Sequence, residues 1–129
     1  MIIDENLLTK VSEQAKASPR LRMNFNFHQS LEDKCHRMLN AVEPGTVLPI
    51  HRHMESNVTI VCIRGHFEEL IYDDNGVLIE AIDMQPEGKV INLPIGTWHS
   101  IRSLESGTVL LECMDGAYRP LTDDEKFEK

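Results

Sequence analysis

His51 and His53 stand two residues apart, and His99 follows further along the 129-residue chain. On an extended segment successive side chains alternate faces, so both rings of a His-x-His pair point the same way. Two imidazoles from one strand, met by a third from another, form a nitrogen face that suits a first-row transition metal. The expectation is one divalent transition metal ion held by His51, His53 and His99. Donor type alone does not separate zinc, iron, manganese and nickel. Three neutral rings leave the ion's charge uncompensated, which favours an anionic ligand and acidifies a bound water.

Other polar residues are candidates for handling a substrate. Arg22-Met23-Asn24-Phe25-Asn26-Phe27-His28 alternates polar with apolar, so Arg22, Asn24 and His28 share one face. An arginine fork fits carboxylate or phosphate, which makes Arg22 and Asn24 candidates for substrate binding. The alternative for Arg22 is a surface salt bridge, and that reading is preferred for Arg20. His28 or Tyr118 could move a proton in catalysis, the alternative for Tyr118 being a packed aromatic. Trp98, next to His99, points to the other face of its strand, towards the exterior or a subunit contact. His36 and His66 carry no motif and read as structural or exposed. Cys35, Cys62 and Cys113 are odd in number with no CxxC pair, and read as reduced thiols. No phosphate loop, Ser-His-Asp order or dinucleotide fingerprint is present.

The elements that must position these residues follow from periodicity. Ile3, Leu7, Leu8, Val11 and Ala15 form a helical stripe over residues 3–17, which Pro19 ends. Extended segments are predicted at 22–28, 36–43, 46–53, 58–63, 67–72, 77–82, 89–93, 98–102 and 108–114. Asn75-Gly76 predicts a tight hairpin with positive φ at both residues. One helix followed by many short strands points to an antiparallel sandwich or barrel. The expected organisation is an N-terminal helix (1–19), a barrel (20–120) and a solvated tail (121–129).

Gly45, His51-Arg52-His53 and Gly65 resemble the first cupin motif, and Gly88 with Pro94-Ile95-Gly96-Thr97-Trp98-His99 resembles the second. The resemblance implies an all-β fold, an antiparallel double-stranded β-helix (cupin or jelly-roll barrel) with one N-terminal α-helix. One departure matters. The glutamate that usually follows the second histidine is Val58 here, which cannot ligate metal. Glu55, Asn57 or Glu112 could substitute, the alternative for Glu55 being a solvated loop carboxylate. Ser18-Pro19-Arg20-Leu21-Arg22, Asn26-Phe27-His28, Arg64-Gly65, Glu112 and Gly116-Ala117-Tyr118-Arg119-Pro120 extend the likeness to the WbuC family of cupin-fold metalloproteins. That resemblance implies a setting among O-antigen and surface-polysaccharide genes, without an assigned reaction.

A net charge of -8 disfavours nucleic acid and anionic membranes as partners. The longest apolar run, Val58–Ile63, is far too short to span a bilayer, and the start lacks the features of a secretion signal, so a cytoplasmic location is expected. Small cupins often pair through sheet edges, which suggests a homodimer. Three functions fit this frame. The first is an isomerase or epimerase acting on a sugar or sugar-nucleotide. The others are a three-histidine iron dioxygenase of a small anionic substrate and a non-catalytic, metal-dependent binding module.

Overall fold

The computed structural model describes residues 1–127. Helix α1 (Glu5–Ala17) begins where the Asp4 side chain accepts a hydrogen bond from Leu7 N at 3.2 Å. Its apolar stripe, Leu8, Val11 and Ala15, is buried against Leu39, Ala41 and Val109, with Met23, Phe25 and Phe27 packed around it. Burying Leu8 and Val11 stabilises this docking by about 1.5–3 kcal/mol each. The Arg64 guanidinium fastens the helix to the sheet through Ser12, Thr9 and Glu5. Ile3, placed at the head of the predicted stripe, lies before the helix and is exposed.

Eight strands follow: β1 (Arg22–Asn26), β2 (Cys35–Val42), β3 (Val58–Arg64), β4 (Phe67–Tyr72), β5 (Leu78–Met84), β6 (Val90–Leu93), β7 (Trp98–Ser103) and β8 (Val109–Asp115). They form a five-stranded sheet ordered β1-β2-β8-β3-β6 and a three-stranded sheet ordered β5-β4-β7. Every pairing is antiparallel. The fold is therefore mostly β, with two antiparallel sheets and one helix. Val42, Val58, Ile60, Cys62, Phe67, Met84, Leu93 and Leu110 fill the space between the sheets. Helix α1 covers the opposite face of β1 and β2, which leaves Arg22 and Asn24 turned towards the interior. No helix among the described residues is long and apolar enough to cross a membrane.

The structure departs from the local sequence pattern in three places. Residues 46–53 form no strand, because Pro49 lacks an N–H and only His51 makes a ladder-like exchange with β7. The β4–β5 turn is not built on two positive-φ residues. Gly76 alone has positive φ (76°), and the Asp73 carboxylate accepts from Asn75 N and Val77 N, giving a longer, bulged turn. The tail is not simply solvated. Residues Asp123–Glu125 form a 3-10 turn, and Glu125 is only 1% exposed. Residues 128 and 129 of the predicted tail lie outside the described residues.

Candidate metal centre

His99 lies on β7, where the sheet fixes its direction. His51 reaches the same place from a loop, held by a reciprocal backbone pair: His51 N donates to His99 O (3.1 Å) and His99 N to His51 O (2.8 Å). The C-terminal segment grips the other side of that loop. Arg52 N donates to Glu125 O at 2.9 Å, Phe127 N to Ile50 O at 3.1 Å, and Met54 N to the Glu125 carboxylate at 2.6 Å. The bend before β7 secures His53, whose carbonyl accepts from Gly96 N at 2.9 Å.

The three rings converge. Centroids are 4.3 Å apart for His51–His99, 5.2 Å for His51–His53 and 5.9 Å for His53–His99. One nitrogen from each lies within 4.8 Å of the others. The hydrogen bonds also set the tautomers. His51 Nδ1 lies 2.9 Å from the Pro49 carbonyl, so it carries the proton and Nε2 keeps its lone pair. His99 Nδ1 lies 2.7 Å from Glu69 Oε1, while its Nε2 is buried with no hydrogen-bond partner among the described residues. A buried nitrogen without a partner is unfavourable unless something electrophilic sits beside it. The donor set therefore fits a divalent ion: three imidazoles, two oriented from behind, one with a buried nitrogen that no protein group uses among the described residues.

Electrostatics agree with this assignment. Loss of water pulls His51, His53 and His99 down to about 4 each, with neighbouring rings adding repulsion at His51 and His53. All three are neutral at pH 7, as metal binding requires. Burial raises Glu69 to about 8, so the metal-free Glu69–His99 pair is neutral and holds its proton. An ion on Nε2 requires the opposite state, with Glu69 ionised and accepting from Nδ1–H.

No carboxylate completes the set among the described residues. Val58 is buried in the core. Glu55 is exposed and accepts from Arg119 Nε at 2.6 Å. Asn57 is occupied with Asp115 and with Ile95 N. Glu112 lies deep on β8, where Asn40 Nδ2 donates to it at 2.8 Å.

Beside the histidines opens a cavity of about 390 Å³, lined by Arg22, Asn24, Asn40, His51, Glu69, His99, Ser100 and Glu112 among others. Arg20 stands at its edge. Arg22 Nη1 is buried without a partner among the described residues, and burial, then the charge of Arg20, pulls its pKa below the usual value. A second chamber of about 250 Å³ meets the first at His51, Asn24, Met38 and Leu121, and is lined also by His53, Tyr118 and Arg119.

The two candidates for proton transfer sit differently. Tyr118 lies on the rim of the second chamber, half exposed, its ring 5.9 Å from that of His36. His28 lines neither cavity. It stacks on His36 at 4.0 Å, and its Nδ1 accepts from Arg37 N. Although β1 ends at Asn26, Phe27 N still donates to Arg37 O, and the stack on His36, which lines the second chamber with Asn24 and Met38, keeps His28 on the face that alternation predicts. Trp98 is not an open exterior residue. Arg52 lies 4.3 Å over its ring, Phe127 packs edge-on, and Nε1 donates to Asp74.

Sequence reasoning missed Glu69 and Glu125. Glu69 shares a strand face with Phe67 and Ile71, so an acid on an apolar face was the available signal. Glu125 had none, because its bonds to Met54 and Arg119 join distant segments.

A family model described as a domain of unknown function (DUF6016) matches residues 3–84. No curated protein sequence matches the chain. Several solved structures are similar in fold. KdgF from Halomonas sp. is 16% identical with a TM-score of 0.63, over 78% of this chain and 84% of that one. The capsular polysaccharide assembling protein CapF from Staphylococcus aureus is 19% identical with a TM-score of 0.68. The match covers 80% of this chain but only 28% of CapF. A sugar phosphate isomerase of the cupin superfamily from Silicibacter pomeroyi is 19% identical with a TM-score of 0.58, over 73% of this chain and 59% of that one. At such identities the likeness is one of fold, and the fold is the cupin barrel.

Proposed function

The chain belongs to the family described as a domain of unknown function (DUF6016), and we propose that it is a metal-dependent cupin of the isomerase or epimerase type acting on a sugar or sugar derivative. The observation that carries the reading is the buried, partnerless Nε2 of His99, facing two other imidazoles at the wall of a cavity. His51, His53 and His99 would hold the ion, which when bound supplies Lewis-acid polarisation of a carbonyl or hydroxyl.

The remaining chemistry falls to the chain's own groups. Glu69 orients the His99 ring and fixes its tautomer. Arg22 and Asn24 line the same cavity and can orient an anionic or hydroxyl-bearing substrate. The Tyr118 hydroxyl, on the rim shared with His51 and His53, is the group proposed to move a proton. Its ring on His36 holds it at that rim. CapF is a capsular polysaccharide assembling protein and the Silicibacter protein a sugar phosphate isomerase. With the WbuC-like segments, they support a place in surface-polysaccharide metabolism.

Proton exchange tests the proposal. The zinc- or manganese-loaded protein is incubated anaerobically in D2O with a panel of sugar phosphates and sugar acids, and deuterium at carbon is read by NMR. Deuterium wash-in that is lost in His99→Ala and slowed in Tyr118→Phe is expected. Turnover only with iron and oxygen consumption would replace the reading by an oxygenase. Ligand binding without exchange would leave a binding module.

A further inference from the structure

The inner face of the five-stranded sheet carries polar groups that the metal centre does not use. In register, Asn24 of β1 lies opposite Asn40 of β2, and Asn40 lies opposite Leu110 of β8, two residues from Glu112. Asn40 Nδ2 bridges the gap by donating to Glu112 Oε2 at 2.8 Å. The result is a polar track across three adjacent strands, with Arg22 at its outer end and Glu112 at its inner end. Two strand spacings of about 4.8 Å, combined with a register offset of about four residues along the strands, put the backbones of the two ends roughly 16 Å apart, a gap that the long Arg22 side chain and the intervening Asn40 narrow. His99 and Glu69 come from the other sheet, and both sets line one cavity.

Both ends of the track have unused hydrogen-bonding capacity. Arg22 Nη1 is buried and makes no hydrogen bond among the described residues. Glu112 receives a bond on one oxygen and has no cation partner among the described residues. Its remaining accessible area is cavity wall. A guanidinium and a carboxyl in one cavity would ordinarily pair. Here β2 stands between them and its Asn40 holds Glu112, which leaves each end to a ligand. A guanidinium fork selects a carboxylate or another oxyanion. A carboxyl beside an amide both donates and accepts, and so selects a hydroxyl. A cavity of about 390 Å³ is small for a ligand site and holds a single sugar-sized molecule.

We propose that this track is a recognition subsite for a short polyhydroxy acid, an aldonate or uronate-type sugar acid, with its carboxylate on Arg22 and a hydroxyl on the Glu112–Asn40 pair. The inference rests on the proposed metal-dependent reading and narrows it, making Arg22 and Glu112 specificity-determining residues. A sugar-nucleotide would have to leave its nucleotide outside the cavity.

Calorimetry on the zinc-loaded full chain, with zinc affinity measured separately for every variant, tests the proposal. The probes are D-gluconate and D-glucuronate, with D-glucose as the neutral polyol and succinate as the acid without hydroxyls. The wild type is expected to bind at least one sugar acid tenfold or more tighter than either control. Arg22→Met should abolish the preference over glucose, and Glu112→Leu the preference over succinate, both with zinc affinity retained. Glu112→Gln, which still donates and accepts, should keep most of the preference. Glucose or succinate binding as tightly as both sugar acids, no binding of any probe, or unchanged preferences in both loss variants would overturn the subsite. Failure of zinc to bind the wild type would instead strike the metal-dependent reading on which it rests.

Discussion

Replacing Glu69 by glutamine should move metal affinity and metal-free stability in opposite directions. Glu69 is 1% exposed, and its Oε1 lies 2.7 Å from His99 Nδ1. In the metal-ready state an ionised Glu69 accepts from Nδ1–H and leaves the Nε2 lone pair free. A glutamine can donate its amide N–H to Nδ1, which moves the ring proton to Nε2 and blocks ligation. Loss of such a partner typically weakens metal binding 10–100-fold, about 1.4–2.7 kcal/mol. The metal-free protein should respond the other way. Burial raises Glu69 from 4.5 to about 8, so between those values the folded chain retains a proton that the unfolded chain releases. Wild-type stability therefore falls as pH rises through this window, and glutamine removes that loss. The gain in Glu69→Gln is near zero at pH 4.5 and grows towards a ceiling of roughly 5 kcal/mol above pH 8. The same proton must leave on metal loading, so wild-type affinity rises with pH up to about 8. Competition titration with a zinc indicator, and urea melts in chelator at pH 5 and pH 9, read both effects. Unchanged zinc affinity in Glu69→Gln, or a variant less stable than wild type at pH 9, would refute the reasoning.

Further outcomes follow from the same structure. Glu125→Ala removes the acceptor for Met54 N and for Arg119, loosening the loop that carries His51 and His53. Zinc affinity is expected to fall on the order of tenfold in the same titration. Gly65→Ala would place a Cβ 2.7 Å from Thr108 Cα at a φ of +88, a clash with backbone that cannot be relieved by rotating a side chain. Denaturant melts should show a loss of about 2–4 kcal/mol. Acid should destabilise the metal-free protein from pH 6.5 downwards, because the three histidines stay neutral to about pH 4 when folded while their unfolded counterparts take up protons. Melts between pH 7 and pH 4.5 measure the slope, which should be shallower in His53→Ala.

The parts of the fold legible in the sequence were those set by local repetition. The apolar stripe Leu8, Val11 and Ala15 fixed a helix face, and the structure adds Asp4 as its cap. Alternation in Arg22–Asn26 correctly separated a helix-covered face from a cavity-lining one. At His28 alternation still gives the face, since its ring stacks on His36 of the cavity-lining side, but it does not give depth: His36, not His28, lines the second chamber. For His51 and His53 the expected convergence is present although the expected strand is not. A single rung with His99 and a grip from residues 125–127 do what a ladder would have done. Trp98 and Glu125 are buried by segments far away in sequence, and no local pattern encodes which segment will arrive. Glu69 was readable in principle, as an acid on an apolar strand face, but only its diagonal placement across from His99 explains it.

X-ray absorption at the zinc edge, on protein loaded to stoichiometry and compared with His99→Ala, tests the central claim most directly. One ion per chain is expected, with scattering from three imidazoles at about 2.0–2.1 Å and oxygen neighbours in the open positions. In His99→Ala the imidazole contribution should drop to two with weaker retention. Substoichiometric uptake by the wild type, or a bound ion with the same imidazole scattering after loss of His99, would contradict a three-histidine centre.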